Sequence, residues 1–417
     1  MVRSRSGKKF GERSAIATTA LVAVVVVVIV IIVAGAYVAL SGGGKTSTVF
    51  TTIGTTSVAT STSVVTSATT LSASSCTGSV TINGAGGTLV YPLMSAWTFA
   101  YPQVNPCVHV NYQSIGSGGG IAQITARTVD FGESDAPLTA SQYAAIKNGT
   151  LLTIPVSASA VVPAYNIPGV PTGLNFTGPI LAKIFLGNIT MWNDPAIVAL
   201  NPKANLTGHA ITVVHRSDGS GTMYAYTNYL SDASSVWKTG VGKATSVKWP
   251  TGVGCKGNEG VAGCISNTPY SIGPLEIAYE IVNKNLISYG AVQNAAGNFI
   301  LANINNTQAA ISAGGTSGLP AGSAHWTNVS IIDSVFNNTQ ATTAYPIATF
   351  TYALPYQVQT DQAKGSALVS FLWWVVNSGQ AAGASIGYVP LPSNVVTLDD
   401  TTLNSITYNG SPLHTGM

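Results

Sequence analysis

The stretch VVHRSDGSGTMYAYTNYLS, from Val213 to Ser231, is the part of the sequence that best indicates the fold class. An apolar run ends at Arg216 and Asp218, and a glycine- and serine-rich turn leads into a segment with helical spacing of its apolar residues. A strand that ends in such a turn and opens a helix is typical of an α/β fold. Free N–H groups at a helix start favour an anion, and arginine pairs with oxyanions. The stretch therefore predicts an anion site, with a structural Arg–Asp pair as the alternative.

The residues of this turn have complementary chemistry. Asp218 is placed to hold the guanidinium of Arg216. The helix start offers hydroxyl and N–H groups from Ser220, Gly221 and Thr222. Together these groups predict a binding site whose donors contact the oxygens of one oxyanion.

Three earlier segments repeat the order of strand, small-residue turn and helix. They are NGAGGTLVYPLMSAW with Thr88, SIGSGGGIAQITAR with Gly116, Ser117 and Gly118, and VDFGESDAPLTASQY with Asp135. Glycine lets a ligand approach the backbone closely, and we expect Thr88 at a helix start. Taken singly, a capping threonine or an ordinary glycine loop explains the first two segments equally well.

Asp135 differs from the other candidates because a carboxylate repels a bound anion. The repulsion disappears when the anion carries a proton and donates it in a hydrogen bond. Monohydrogen phosphate has such a proton, whereas sulfate at neutral pH has none. Asp135 therefore favours a protonated oxyanion as the ligand, and a capping or solvent-facing aspartate is the alternative.

The charge distribution argues against a nucleic-acid partner. The 417 residues carry a formal net charge of +3, yet only 7% of them are charged. Much of the positive charge lies before residue 76, and the remaining sequence has two arginines, Arg127 and Arg216. Binding to a phosphate backbone requires a basic patch, which this part of the chain does not offer.

The N-terminal part of the sequence predicts a location at the cell surface. Residues 1–14 are basic, residues 15–40 contain no charge, and residues 41–75 are rich in serine and threonine. We expect a cytoplasmic N-terminus, a single transmembrane anchor and a solvated linker, followed by an extracellular domain at 76–417. A cleaved signal segment ending near Ala34 to Ala36, and a pilin-like processing site near Gly11, are the alternatives.

Cysteines and sequons agree with this location. The even number of four cysteines favours disulfides, which proximity in sequence pairs as Cys76–Cys107 and Cys255–Cys264. A metal site is the alternative interpretation of the cysteines, but no CxxC spacing or nearby histidine supports it. N-glycosylation sequons occur at Asn148, Asn175, Asn188, Asn205, Asn305, Asn328, Asn337 and Asn409.

Read together, the motifs strongly resemble the phosphate-binding subunit of the high-affinity phosphate ABC transporter. The resemblance extends from about Val80 to Pro392, in family order. The segments that carry it are GAGGTLVYPLMSAW, VNYQSIGSGGGIAQITARTVDFGESDAPL, IFLGNITMWNDPAIVALNP, VVHRSDGSGTMYAYTNYL, GNEGVAGCISNTPYSIGPLEIAYE, YPIATFTYALPY and GYVPLP.

The resemblance implies a two-lobed α/β fold, periplasmic-binding-protein-like and of type II, which closes on phosphate about a hinge. Lobe 1 would comprise about 80–155 and 345–400, and lobe 2 about 156–344. The family's ligands carry over onto Thr88, Leu89 (through its N–H), Ser117, Asp135, Arg216, Ser220, Gly221 and Thr222, with Asp218, Gly116 and Gly118 in support.

Three positions depart from the family pattern. Leu89 stands where an aromatic residue is usual, Gly118 replaces a serine, and Glu133 stands where alanine is frequent. A backbone contact tolerates the leucine. Glu133 either alters the pH dependence of binding or faces solvent.

We therefore expect a receptor that captures hydrogen phosphate and delivers it to the permease of an ABC transporter, with no catalytic residue, cofactor or metal. The alternatives are a structural or adhesive surface protein on the same fold, and an extracellular phosphatase. Among oxyanions, Asp135 does not separate phosphate from arsenate.

Overall fold

The computed structural model describes residues 78–314, 316 and 318–413. The strands are β1 (Val80–Gly86), β2 (Val108–Ser114), β3 (Phe131–Ser134), β4 (Ile154–Asn166), β5 (Asn175–Phe176), β6 (Thr212–Arg216), β7 (Val253–Cys255), β8 (Ser271–Glu276), β9 (Ser288–Tyr289), β10 (Ala291–Gln293), β11 (Phe299–Ile300), β12 (Ala348–Pro355), β13 (Val358–Gln359), β14 (Thr407–Tyr408) and β15 (Ser411–Pro412). The helices are α1 (Tyr91–Val104), α2 (Ser117–Thr125), α3 (Ala140–Ala145), α4 (Gly178–Phe185), α5 (Pro195–Leu200), α6 (Gly221–Ala233), α7 (Ser235–Gly240), α8 (Gly257–Asn267), α9 (Ile277–Asn283), α10 (Ile304–Ala313), α11 (Ile331–Phe336), α12 (Gln362–Val376) and α13 (Ser393–Asn404), with a 3₁₀ helix at Ser378–Ile386.

One large sheet runs through the molecule in the order β2-β1-β3-β12-β4-β8-β6-β7, with β9 also pairing with β4. Its centre is the long strand β4, which contributes to two halves of the sheet. Up to Ala160, β4 pairs antiparallel with β12, and from Val161 onward it pairs antiparallel with β8. The chain therefore passes from the first half, β2-β1-β3-β12-β4, into the second half, β4-β8-β6-β7, within a single strand.

The sequence of β4 explains how it serves both halves. The strand reads IPVSASAVVPAYN, and all but its last residue are buried. Helices pack against β4 from both halves, and small residues such as Ser157 to Ala160 leave room for them. A strand that is covered on both faces has a continuous run of apolar and small residues, rather than alternating polar and apolar residues.

The directions of the strands bring two functional edges together. In the first half, β1 is parallel to β2 and β3, and in the second half β6 is parallel to β7 and β8. Since β12 and β8 both run antiparallel to β4, the carboxyl ends of β3 and β8 point toward each other across the sheet. Ligands of open α/β sheets bind outside the carboxyl ends of strands, so this geometry places a site between the two halves.

A helix follows the predicted turn in all four segments, and only the helix expected from Thr88 begins elsewhere. Thr139 caps α3 through a capping box with Gln142, and Ser220 caps α6 by accepting the N–H of Met223. Thr88 does not stand at a helix start, because α1 begins at Tyr91 with Val90 as its N-cap. The prediction of a helix from Thr88 was wrong by three residues, and Thr88 lies instead in the turn that precedes the helix.

Several predicted features fall outside the described residues. They are the N-terminus at 1–14, the anchor at 15–40, the linker at 41–75, and Cys76. Among the described residues, no helix combines the length and apolarity that crossing a membrane would require. The disulfide Cys255–Cys264 is present, and Cys107 is also disulfide-bonded, but its pairing with Cys76 stays a prediction.

Candidate oxyanion-binding site

The predicted ligand residues converge between the two halves of the sheet. Thr88 and Leu89 follow β1, Ser117 begins α2 after β2, and Asp135 follows β3. The second half contributes Arg216 at the end of β6, and Ser220, Gly221 and Thr222 at the start of α6. All of these residues are buried. The structure thus gathers into one place side chains that the sequence scatters over more than a hundred positions.

Arg216 is the positive charge of the site. It is only 3% exposed, and its Nε and Nη2 atoms donate to the carboxylate of Asp218 at 2.7 and 2.5 Å. Its remaining nitrogen, Nη1, donates to the Thr88 hydroxyl at 2.9 Å across the interface. Burial disfavours the ionised form of Asp218, but hydrogen bonds and charge attraction from Arg216 outweigh it and lower the pKa of Asp218. Asp218 therefore holds the guanidinium at two of its nitrogens and leaves the third nitrogen facing the site.

Ser117 links the two halves at the opposite side. Its Oγ lies 3.1 Å from Asp135 Oδ2 and accepts the N–H groups of Asp135 and Gly221, each at 3.1 Å. Nearby, the Gly118 N–H donates to the Gly219 carbonyl at 3.0 Å. Residues of the first half contact residues of the second half directly through these bonds, so the structure shows the two halves closed.

Two glycines permit the close approach. Gly116 has a φ of 83°, and a Cβ there would lie 2.6 Å from Asp218 Oδ2. At Gly221, a Cβ would lie 2.5 Å from the Cβ of Asp135 and 2.7 Å from Ser117 Oγ. Any side chain at these positions would separate the two halves.

Asn258, at the start of α8, belongs to the site but was not predicted. Its backbone N–H and its Nδ2 donate to the Thr88 hydroxyl oxygen at 3.0 and 2.9 Å, and Nδ2 also lies 3.0 Å from Thr222 Oγ1. With Arg216 Nη1, three N–H donors therefore meet one hydroxyl oxygen, which has only two lone pairs. At this oxygen the protein supplies more donors than it can accept. The only sequence signal was its place in GNEGVAG, which carries the family resemblance without a role for this residue.

Two tyrosines hold the backbone of the turn that precedes α1. The Tyr279 hydroxyl donates to the carbonyl of Thr88 at 2.6 Å, and the Tyr388 hydroxyl donates to the carbonyl of Leu89. The Thr88 carbonyl and the Leu89 N–H belong to the same planar peptide and point in opposite directions. Tyr279, which follows β8 in the second half, therefore fixes the orientation of the N–H group that the sequence predicts as a ligand.

The acceptor of the site is Asp135, which is 1% exposed. Burial raises its pKa to about 6, while hydrogen bonds from Thr351 and Ser117 and the charge of Arg216 act in the opposite direction. Behind it lies Glu133, which is fully buried and does not face solvent. The solvent-facing interpretation of Glu133 was therefore wrong.

The remaining predicted residues have defined roles. Ser220 Oγ accepts the Met223 N–H at 3.2 Å, and the Ser220 N–H donates to the Thr245 carbonyl at 2.9 Å. His215, beside Arg216, stacks on Trp249 with the ring centroids 4.8 Å apart. Among the residues that the structure describes, no group of three or more His, Cys, Asp or Glu side chains is arranged to hold a metal ion.

Comparisons with known proteins agree on one family. A model of the PBP superfamily domain matches residues 51–378. The phosphate-binding protein PstS of Xylella fastidiosa (strain 9a5c) is 43% identical over 321 residues, covering 77% of this chain and 84% of that protein. The phosphate-binding protein PstS of Pasteurella multocida (strain Pm70) is 41% identical over 321 residues, covering 77% and 89%. These relatives bear out the resemblance, and they are binding proteins rather than enzymes, as the sequence predicts.

A solved structure supports the fold. The phosphate binding protein (PBP) from Stenotrophomonas maltophilia superposes with a TM-score of 0.58, covering 78% of this chain and 94% of that chain. The sequence identity is 17%, so the superposition speaks for the fold alone. It confirms the two-lobed α/β architecture that the sequence predicts.

Proposed function

We propose, since the chain belongs to the phosphate-binding protein (PstS) family, that it captures hydrogen phosphate between its two lobes outside the cell and delivers it to the permease of a phosphate ABC transporter. The lobes would correspond to about 80–155 with 345–400, and to about 156–344. The strand β4, which crosses between the halves of the sheet at Ala160 and Val161, would form part of the hinge.

The observation that carries the proposal is the balance of donors and acceptors in the buried site. Arg216 Nη1 and the two N–H groups of Asn258 meet at the Thr88 hydroxyl, with more protons than that oxygen can accept. The carboxylate of Asp135 adds one acceptor. A tetrahedral oxyanion with a single proton satisfies both, because its oxygens accept the surplus N–H groups and its hydroxyl donates to Asp135.

Each proposed phosphate ligand lies at the carboxyl edge of either the first or the second half of the sheet. From the first half they are Thr88, the N–H of Leu89, Ser117 and Asp135, and from the second half Arg216, Ser220, Gly221 and Thr222. Asp218 would support Arg216, while Gly116 and Gly118 would allow the lobes to meet. Binding would thus be coupled to closure, since neither half holds the full set.

The location follows from the sequence before residue 76. We propose that residues 15–40 anchor the protein in the membrane and that residues 41–75 form a stalk, which keeps the binding domain outside the cell and near the permease. This part of the proposal rests on hydropathy and charge. Accessibility of residues 76–417 to protease in intact cells tests it, and protection from protease would contradict it.

Calorimetry tests whether the ligand is phosphate. The full-length chain in detergent is titrated with phosphate and with sulfate, beside the variant Asp135→Asn. We expect heat from phosphate and none from sulfate in the wild type. In the variant, the amide can donate to sulfate and accepts the ligand's proton less well, so the ratio of phosphate to sulfate affinity should fall by at least about tenfold. Absence of any phosphate heat from folded wild-type protein would end the proposal.

A further inference from the structure

A second carboxyl group, that of Glu133, lies directly behind Asp135. Between the two lies the hydroxyl of Thr351, which contacts Oε1 of Glu133 and lies 3.0 Å from Oδ1 of Asp135. The other oxygen of Glu133 accepts the N–H of Gly87 at 2.5 Å and the hydroxyl of Tyr112 at 3.0 Å. All of these groups are buried or half-buried, and they form one continuous hydrogen-bonded chain.

The number of protons in this chain is fixed by its geometry. The Thr351 hydroxyl has one proton and can donate it to only one of the two carboxyl groups. If both were ionised, two buried negative charges would face the same oxygen with one proton between them, which is unfavourable. The pair is therefore satisfied by one additional proton, which makes one of the two acids neutral.

The surroundings decide which acid is neutral. Asp135 receives the hydroxyl of Ser117 and the field of Arg216, both of which favour its ionised form. Burial, followed by the nearby charge of Asp135, raises the pKa of Glu133 well above its usual range. With the proton on Glu133, its O–H donates to the Thr351 oxygen, and the Thr351 O–H donates to Asp135. Oδ2 of Asp135 then accepts the Ser117 hydroxyl and keeps one lone pair to accept a hydrogen bond from the ligand.

Titratable and charged groups approach the pair from each element packed against it. They are Tyr112 from β2, Tyr352 from β12, Arg216 from β6, Glu276 from the end of β8, and Tyr388 after the 3₁₀ helix. Arg216 is the cation of this group and favours ionised Asp135, whereas Glu276, whose pKa burial raises to about 8, adds negative charge only above that pH. The net effect keeps one proton in the pair.

The pair does not depend on closure of the lobes. Glu133 and Asp135 lie on and after β3, and Thr351 lies on β12, so all three come from the first half of the sheet. Gly87 and Tyr112 belong to the same half, and a Cβ at Gly87 would collide with Glu133 Oε2 and lie 2.8 Å from both Asp135 oxygens. The hydrogen-bonded chain from Glu133 through Thr351 to Asp135 is thus in place before a ligand arrives, and the field of Arg216 adds to it when the lobes close.

We propose that Glu133 and Asp135 share one proton through Thr351, held on Glu133, and that Glu133 is the residue that keeps Asp135 an acceptor for the ligand's proton. This rests on the proposed binding of hydrogen phosphate. When solvent pH is high enough to ionise Glu133 in the free protein, phosphate binding is accompanied by transfer of one proton from solvent to the Glu133 carboxylate. No other bond forms or breaks in this step.

The direction of the pH effect follows from linkage. Bound phosphate is an anion and raises the pKa of Glu133 further. Affinity is therefore highest between about pH 6, where Asp135 ionises, and the pKa of Glu133 in the free protein, and it falls as pH rises above that value, by at most about tenfold per pH unit. The variant Glu133→Gln is neutral at every pH, and its amide can donate to Thr351 as the protonated acid does, so it lacks this loss.

The experiment is calorimetry of full-length protein with inorganic phosphate from about pH 6 to about pH 10, in buffers that differ in ionisation enthalpy. The variants are Glu133→Gln and, as matched control, Glu280→Gln, which removes another buried acid whose pKa burial raises to about 7. We expect Glu133→Gln to bind within about threefold of wild type at the acid end and progressively tighter than wild type at the alkaline end. Glu280→Gln should follow wild type.

Each result decides between the two proposals. Superimposed profiles of wild type and Glu133→Gln would overturn the shared proton, as would a loss of about 100-fold or more in folded Glu133→Gln at the acid end. If Glu133→Gln does not fold, proton uptake by wild-type protein at the alkaline end still tests the shared proton. Phosphate in solution is already monohydrogen phosphate at that pH, so the uptake does not come from a change in the ligand. Uptake of about one proton per phosphate supports the pair, and no uptake overturns it. Absence of phosphate heat in every protein would instead contradict the proposed function.

Discussion

Arg216 Nη1 lies 2.9 Å from the hydroxyl oxygen of Thr88, although the two residues stand 128 positions apart in the sequence. One residue follows β1 in the first half of the sheet, and the other ends β6 in the second half. Asn258 donates to the same oxygen through two N–H groups, again from the second half. The second half of the sheet thus contacts the first half at Thr88, and an anion bound next to Thr88 would contact residues of both halves.

Replacing Arg216 tests the positive charge of the site. Arg216→Lys retains a charge but loses the planar fork that Asp218 holds at two nitrogens while the third faces Thr88. We expect phosphate affinity to fall by about 100-fold or more, measured by calorimetry at neutral pH. Arg127→Lys is the matched control, because Arg127 is the other arginine of this part of the chain and lies over the ring of Tyr356, 3.5 Å from its centroid. Equal losses in both variants would show that the effect is not local to the site.

Tyr279→Phe tests whether the orientation of the Leu89 N–H matters. The variant removes the hydroxyl, which donates to the Thr88 carbonyl at 2.6 Å and lies 2.9 Å from Glu259 Oε1, and so frees the peptide that carries the Leu89 N–H. We expect phosphate affinity to fall by about tenfold, as one hydrogen bond loses its fixed direction. Tyr289→Phe is the control, because its hydroxyl donates to the Ala302 carbonyl at 2.8 Å. Unchanged phosphate affinity in folded Tyr279→Phe would contradict the positioning role.

Asn258→Asp tests the donor excess at Thr88. The substitution keeps the size of the side chain but replaces the donating Nδ2 with a carboxylate oxygen, which faces Thr88 and Thr222. Since a negative charge next to a bound anion costs several kcal/mol, we expect phosphate affinity to fall by more than about 100-fold. Asn267→Asp, in the same helix and with Nδ2 donating to the Gly263 carbonyl, should bind as wild type does. A small effect of Asn258→Asp would mean that Asn258 does not face the ligand.

The sequence predicts the parts of this site that are local and misses those made through space. Arg216, Asp218 and Ser220 belong to one turn, and their roles follow from the order of strand, turn and helix. Asn258 and Tyr279 reach Thr88 over 170 and 191 residues, and nothing in their own spacing indicates that contact. They lie within segments that carry the family resemblance, yet a resemblance transfers only the roles already attached to it.

Glu133 and the start of α1 show two further limits of the sequence. The alternation of a strand puts Glu133 on one face, but only the pairing of β3 with β12 shows that this face is buried against Thr351. The helix after β1 was expected from Thr88, but the turn continues to Val90 and α1 starts at Tyr91, with Pro92 in its first turn. Proline is tolerated there because the first N–H groups of a helix have no intrahelical partner.

Glu276 predicts a pH dependence of stability that is separate from binding. Its carboxyl is fully buried, lies 2.6 Å from the Ser159 hydroxyl and accepts the Ala278 N–H at 3.0 Å. Burial raises its pKa to about 8, above the usual value of 4.5, so the folded state binds a proton that the unfolded state has lost. The stabilisation is complete below the unfolded pKa and is lost as pH rises through the folded one.

We therefore expect the free energy of unfolding without phosphate to fall between about pH 5 and about pH 8, with Glu276 contributing at most about 1.4 kcal/mol per pH unit. Glu276→Gln remains neutral, and its amide oxygen can still accept the Ala278 N–H, so its stability should change less over the same interval. Urea unfolding of both proteins at the two pH values measures the difference. The same decline in wild type and Glu276→Gln would assign the effect to other buried acids, such as Glu133, and would show that Glu276 is already ionised in the folded protein.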